Sequence, residues 1–431
     1  MTAPHLALVV PTIGRPASLQ RLLRSLCTQR DVPVFEVVVV ADGVPAAAVG
    51  VGDPRGWPFP VRVVEQPARG AAAARNAGAH EALAPVIVFV DDDVELGDTA
   101  LAAHRAFHAD GVERIGAGGL TPVPAARGFT GAALAGWWEV LDDGLSDPRH
   151  RFTFRDLLTG HCSMRRGTFI RLGGFDESLR CHEDFDFGYR ALRQRLSIRR
   201  VPGADAKHHD ESTLTKILSR KRAEGRAGVQ LARQHAELVR ALPLGVPLAD
   251  GRMAQRVQQA ALTGGAAAAV VPILCAAGLR VFEALHMRDK WRTTLERLMD
   301  FWYWRGVLEQ AGSRAAVDAF RSREGVPGAP PAFDLDLSHG LEWAESQMDA
   351  EQPQALRLWW RGVPVGTVPY VPGAEPLRGV HLRPILLKVL LPGFLRAAAT
   401  VGVMPATLAA QMADGGQPAQ APAGEAVGHV A

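Results

Sequence analysis

Over the first half of the chain, short apolar runs alternate with stretches whose apolar residues recur every three or four positions. Leu6 to Val10 and Phe35 to Val40 predict buried strands, with Pro11 ending the first and Ala41-Asp42-Gly43 closing the second. Between them Ser18, Leu19, Leu22, Leu23 and Leu26 follow the i, i+3, i+4, i+7 spacing of an amphipathic helix. Strand, helix, strand in that order commits the connection to a right-handed crossover and the strands to parallel pairing. A Gly- and Pro-rich loop from Val44 to Pro60 leads to a third strand, Val61 to Glu65, and an Ala-rich helix, Ala71 to His80. Pro85 to Leu96, PVIVFVDDDVEL, then places five apolar residues in succession before Asp91, Asp92 and Asp93. Without polar alternation such a run predicts a central strand covered on both faces.

Three carboxylates thus emerge at a strand's carboxyl end, the edge at which open α/β sheets bind ligands. One Asp there would be an ordinary turn or helix cap. Three repel one another unless a cation or cationic group lies among them, and a divalent metal is the natural tenant. Gly70 and the helix carrying Arg75 and Asn76 resemble a phosphate cradle, although neither G-x-x-x-x-G-K-[ST] nor G-x-G-x-x-G occurs there.

Further on, a helix is expected near Asp98 to Phe107, a strand over Ile115 to Leu120, and an irregular stretch around Trp137-Trp138. Phe185, Tyr189, Leu192 and Leu196 share a helical face, which puts Glu183, Asp184 and Asp186 in that helix's first turn. Acids there complement the helix dipole, or one of them is a displayed base. A strand from Ser197 to Val201 precedes His208-His209-Asp210. Arg220-Lys221-Arg222 and Arg226 follow on a polar helix, read as a solvated face that could bind phosphates.

From about Gln230 the pattern becomes helical and more apolar. No charge interrupts Arg256 to Arg280, a length that could span a bilayer, but Gly264-Gly265, Pro272 and alanine's weak hydrophobicity favour a buried or interfacial helical hairpin over Ala260 to Leu285. Trp291 and Phe301 to Trp304 form an aromatic cluster beside Arg288, Lys290 and Arg292, a pairing found at membrane surfaces and in cores. Gly325 to Pro331 reads as a linker; Leu356 to Trp360 and Val365 to Val371 read as two strands; Leu382 to Leu395 reads as a basic amphipathic surface helix. The tail after Asp414 has a disordered composition. At 431 residues the chain suits one large domain or two to three smaller ones, and a net charge of +3 without like-charge blocks gives no argument for nucleic-acid binding. The four scattered cysteines signal neither a disulfide framework nor a zinc site and suit a reducing cytoplasm.

Taken in order, Val10-Pro11-Thr12, Asp42-Gly43, Gly70 with Ala74-Arg75-Asn76 and Gly78, the acidic strand end, Gly173-Gly174-Phe175-Asp176, Glu183-Asp184, and Pro202 with His208 resemble the family 2 glycosyltransferases over roughly residues 5 to 230. The resemblance implies an inverting enzyme of polysaccharide or cell-envelope biosynthesis. Its fold would be α/β, a GT-A-type, Rossmann-like, mostly parallel sheet flanked by helices, then a helical region and a small β-containing module. It implies a catalytic domain at 1–235; beyond it the residue pattern alone gives a helical region at 236–324 that could associate with a membrane, a linker at 325–332, the module with its amphipathic helix at 333–413 and a tail at 414–431. Asp91 and Asp93 match the family's D-x-D, with His208 completing a site for Mg²⁺ or Mn²⁺. Pro11, Thr12, Arg15, Asp42, Arg75, Asp91 and Asp92 would face a nucleotide-diphosphate sugar, and Asp184 would be the base, with Glu183 or Asp186 orienting it or the neighbouring loop. His161 stands where the family often has a small polar residue, which bears on acceptor preference. A carbohydrate or lipid-linked acceptor is implied, with peripheral contact through residues 260–285 or 382–396 on the inner face of the cytoplasmic membrane. The rivals are a haloacid-dehalogenase-like phosphatase using Asp91 as nucleophile and a non-catalytic carbohydrate-binding relative.

Overall fold

The apolar runs become the middle of one seven-stranded sheet in a computed structural model that describes residues 3–245, 252–263, 265–322 and 328–403. β1 (Leu6–Thr12), β2 (Phe35–Asp42), β3 (Val61–Gln66) and β4 (Val86–Val90) pair in parallel in the order β3-β2-β1-β4. Leu6 to Val10 and Ile87 to Val90 are fully buried, because helices cover both faces. α1 (Pro16–Cys27) turns Leu19, Leu22, Leu23 and Leu26 inward, and α2 (Ala71–Glu81) packs on β1 and β2. β1 runs through Pro11 to Thr12, since Pro11 still pairs with Val40.

Beyond β4 the chain makes a short second sheet. β5 (Val94–Leu96) starts directly after the three aspartates, α3 (Ala100–Phe107) follows, then β6 (Arg114–Ala117) and β7 (Thr121–Pro122). The stretch around Trp137-Trp138, expected to be irregular, is α4 (Gly128–Ser146). Its glycines lower helix propensity, yet Leu134, Trp138, Leu141 and Leu145 lie buried on one stripe, and packing decides. β8 (His161–Arg165) inserts antiparallel between β4 and β6, so the sheet is mostly and not wholly parallel. α5 (Arg166–Arg171), α6 (Glu183–Arg193), β9 (Ser197–Arg200) and β10 (Ala206–His208) complete this region. β10 pairs with β5 and β7.

α7 (Leu214–Gln234) leads to a helical region of α8 (Arg252–Thr263), α9 (Gly265–Ala284), α10 (Arg288–Ala311) and α11 (Arg314–Ser322). α7 and α10 approach closely, a Cβ on Gly225 or Gly306 falling 2.0 and 1.9 Å from the facing carbonyl oxygens of Tyr303 and Arg222. The aromatic cluster on α10 is core: Trp291, Phe301, Tyr303 and Trp304 are buried. Of the two alternatives expected for this segment, buried or interfacial, α9 departs from the buried one, since Leu279 alone of its residues is buried.

The C-terminal module is a three-stranded sheet of β11 (Phe333–Asp336), β12 (Leu356–Trp360) and β13 (Val363–Val368), with α12 (Leu341–Glu351) crossing between the first two strands. The single amphipathic helix expected at 382–395 is two, α13 (Leu382–Lys388) and α14 (Leu391–Thr400), because Pro392 suits only the first turn of a new helix. Leu382, Leu386 and Leu395 are buried in the module. The expected linker lies partly, and the expected tail wholly, outside the described residues. The module is pinned to the main sheet at Glu375, whose buried carboxylate accepts from Phe152 N at 3.1 Å and Arg199 Nη1 at 2.7 Å.

Candidate active site

Parallel pairing of Leu6 with Val86 through Val9 with Phe89 brings the carboxyl ends of β1 and β4 together. There Thr12 Oγ1 donates to Asp92 Oδ2 at 2.6 Å, and Arg15 donates from Nε to Asp92 Oδ2 at 3.3 Å and from Nη1 to Asp93 Oδ2 at 2.8 Å. Arg15 Nη2 also binds Asp92 Oδ1. Asp92 is 1% exposed, and burial pushes its carboxyl up to about 6 despite Arg15. Asp92 therefore faces the protein and secures the acidic turn through Arg15.

Arg75, on α2 and 4% exposed, joins two elements: Nη2 donates to Asp91 Oδ1 at 2.7 Å and Nη1 to Glu183 Oε1 at 2.9 Å. Burial raises the Asp91 carboxyl, but the Arg75 guanidinium more than compensates and holds it below the usual range. Next to Glu183 at the start of α6, Asp184 accepts from Phe185 N at 2.8 Å. Burial, reinforced by the charge of Glu183, pushes Asp184 up to about 7. Asp186, the third acid of that turn, is structural: His235 and Arg190 contact its two oxygens at 2.8 Å each.

The pairing of β10 with β5 sets His208 opposite Val94 and carries its Nε2 to 3.6 Å from Asp93 Oδ1. Trp138 packs edge-on against that imidazole at 4.7 Å and donates from Nε1 to Asp210 Oδ2 at 3.3 Å. These groups surround a cavity of about 470 Å³. Arg15, Arg75, Asp91, Asp93, Glu183, Asp184 and His208 line it; Pro11, Thr12, Asp42 and Asp92 do not. Asp42 instead accepts from Gln66 Nε2 at 2.8 Å, Arg69 N at 2.7 Å and Gly70 N at 2.9 Å, bonds that outweigh its desolvation and lower its pKa. Its carboxylate shapes the loop into α2.

Trp138, Arg180 and Lys216 join this wall without having been anticipated, and Arg220 and Lys221, expected on a solvated face that could bind phosphates, line it as well. The basic run on α7 was the available signal. His161 is also placed differently from the expected acceptor-side position: it is fully buried, outside the cavity lining, with Nδ1 3.1 Å from Gly119 O and Nε2 3.0 Å from His104 Nε2.

Among the described residues no three His, Cys, Asp or Glu side chains converge as a metal cage. Arginines satisfy much of the acidic edge. Asp93 Oδ1, however, is buried without a hydrogen-bond partner and lies near His208 Nε2, while Asp91 shares the same cavity. Mg²⁺ characteristically takes one or two carboxylates and completes its sphere with water and substrate phosphates, so these residues fit a small hard cation.

The family model described as Glycosyl transferase family 2 matches residues 7–166. An uncharacterized glycosyltransferase of Haemophilus influenzae is 26% identical over 202 residues, 44% of this chain and 62% of its own. The validoxylamine A glucosyltransferase of Streptomyces hygroscopicus subsp. limoneus is 30% identical over 217 residues, 43% of this chain and 48% of its own. The chain thus spans less than two thirds of the length of either relative. Among solved structures, the mannosyltransferase PcManGT from Pyrobaculum calidifontis, in complex with GDP-Man and Mn²⁺, aligns at 18% identity over 70% of this chain and 86% of that one, with a TM-score of 0.46.

Proposed function

We propose that this chain, whose residues 7–166 match glycosyl transferase family 2, moves a sugar from a nucleotide-diphosphate donor to a hydroxyl acceptor with inversion. The observation that carries the reading is one cavity, at the carboxyl ends of β1 and β4, that joins an acidic turn to a buried carboxyl group raised to about 7. Inversion requires a single displacement in which the acceptor oxygen bonds to the anomeric carbon as the bond to the diphosphate breaks. The acceptor's proton then needs one base, and a carboxylate with a pKa near the working pH is well matched to that task. Asp184 is that base, and Glu183, fixed by Arg75, keeps its surroundings in place.

Asp91, Asp93 and His208 would hold Mg²⁺ or Mn²⁺, which when bound neutralises the charge of the departing nucleoside diphosphate. Arg15 keeps Asp93 in position through its own ion pair. Arg180, Lys216 and Arg220 add positive charge around the same cavity, suited to a diphosphate or an anionic acceptor. Asp42, Pro11 and Thr12 act behind the cavity by shaping the ends of β1 and β2. The acceptor is a carbohydrate or a lipid-linked glycan, and the four free cysteines suit a reducing cytoplasm.

The test is isothermal titration of UDP, GDP and dTDP sugars with and without Mn²⁺, followed by donor turnover. One donor should bind more tightly with metal, turnover should cease on chelation, and Asp93→Ala should bind donor weakly. Binding of none of these donors would overturn the transferase reading; full turnover in excess chelator would remove the metal alone.

A further inference from the structure

α9 carries two apolar faces. One, including Ala268, Val271, Cys275, Leu279 and Phe282, packs into the protein beside Leu134, Trp291 and Leu295. The other is open: Val270, Ile273, Leu274, Val281 and Leu285 recur at helical spacing and are 48–66% exposed. Ala266, Ala277 and Ala284 extend the same stripe. Soluble chains rarely leave so long an apolar strip uncovered. Its ends are basic. Arg252 and Arg256 on α8 precede it, and exposed Arg280, Arg288, Lys290 and Arg292 surround its carboxyl end. Of the acids nearby, Glu283 is turned toward the start of α4, where Phe129 N donates to Oε1 at 3.3 Å, and Glu296 lies 3.9 Å from Arg292. Asp289 stands beside Lys290.

The geometry points to α9 as an in-plane docking surface for an anionic lipid membrane. A helix whose other face is held by α10 cannot stand alone across a bilayer, whereas lying flat immerses the open stripe and brings the flanking cations to headgroup level. The described length and composition alone would also pass for a span, and the packing decides against it. The same packing links the docking face to the cavity, because Ile217 lines the cavity and shares a core cluster with Leu279. Docking does not depend on the transferase reading; if both hold, the helix that docks shares a core cluster with the cavity wall and the acceptor class is lipid-linked.

Sedimentation of the full chain with vesicles of phosphatidylcholine, alone or mixed with phosphatidylglycerol, tests this. Wild-type protein should bind the anionic vesicles at low salt and lose roughly ten-fold or more in affinity at high salt, each basic residue being worth a factor of about five. Ile273→Asp with Leu274→Asp should reduce binding at least about ten-fold while the melting temperature and nucleotide affinity stay unchanged. Should that variant not fold, Arg288→Glu with Lys290→Glu and the wild-type lipid and salt profile decide the matter. Absence of vesicle binding at any salt overturns the proposal. So does recovery from membranes with detergent alone, which means a span, or a concentration-dependent dimer abolished by Ile273→Asp with Leu274→Asp without vesicle binding, which means that a second copy covers the stripe.

Discussion

Arg75 sets how the acidic edge is used, since one buried guanidinium neutralises Asp91, just after β4, and Glu183 on α6 at once. Arg75→Ala would leave the largely buried Glu183 and the cavity-lining Asp91 without their partner. Breaking buried pairs of this kind costs about 3–5 kcal/mol, so thermal unfolding should show a drop of many degrees, and an unchanged melting temperature would mean the pairs are solvated. Asp184 has a different signature. Transfer should rise with pH through about 7, as its carboxyl loses the proton that blocks it, and then level off. Asp184→Asn should abolish most transfer while nucleotide affinity stays near wild type, as for a group needed only in the transition state. If Asp184→Asn transfers normally and Glu183→Gln does not, the base is Glu183. Why Asp92 differs from its neighbours was not legible: Asp91 to Asp93 lie in the turn between β4 and β5, and Thr12 and Arg15, about 80 positions earlier, draw Asp92 inward while its neighbours line the cavity.

A third residue-scale consequence lies beneath the site. His161 Nδ1 faces the Gly119 carbonyl oxygen and must carry a proton, so His161 Nε2 accepts from His104 Nε2 at 3.0 Å. His104 Nδ1 then accepts from Ser163 Oγ at 2.8 Å, and Ser163 Oγ accepts from His108 Nε2 at 2.9 Å. All three imidazoles of this hydrogen-bond relay are neutral, and a proton added to His161 or His104 sets donor against donor. Burial lowers His108 and His161 to about 4. An unfolded histidine gains its proton near 6.5, so the contribution of each is complete above that pH and is lost as pH falls toward about 4. Asp92 and Asp184, raised by burial, act with the opposite sign between about 4 and 7, so only a difference measurement isolates the histidines. His108→Leu should cost about 1 kcal/mol at pH 8. The deficit should close and then reverse as pH falls toward 4, and a deficit constant with pH would show that His108 takes up its proton alike in the folded and unfolded states.

At the scale of elements, β1, β2 and β4 were legible because a buried strand needs nothing more than an uninterrupted apolar run. β5, β7 and β10 were not, since two or three residues carry no period, yet their pairing is what brings His208 to Asp93. α4 was hidden by glycines, which are poor guides when a buried stripe supplies the stability. The start of α6 also depends on a distant segment. Phe154 packs on Phe185 and Tyr189, and Gly373, at φ +72°, accepts at its carbonyl oxygen from Phe154 N at 2.7 Å and leaves no room for a Cβ against that ring. Gly373→Val combines a disfavoured backbone conformation, worth about 1–3 kcal/mol, with that collision. It should lower the melting temperature by several degrees and slow transfer with little change in nucleotide affinity. Unaltered transfer would separate this loop from the positioning of Asp184.

For the whole molecule, composition and pattern anticipated the α/β sheet, the helical region and a small β module, but not that the module closes onto the sheet. That join is a matter of distant pairs, Glu375 with Arg199 and Thr153 with Ala374, and no local period records them. It has a consequence for synthesis. The loop that supports the start of α6 is completed by residues 373–381, so the N-terminal half leaves the ribosome with its fold written but one wall unsupported. At about 5–20 residues per second, roughly 140 further residues delay closure by about 7–30 s. Nascent chains stalled near residue 330 should therefore be cut by protease around residues 147–158, while chains stalled well past 403 resist. Equal resistance at both lengths would mean that the wall forms without its distant partner.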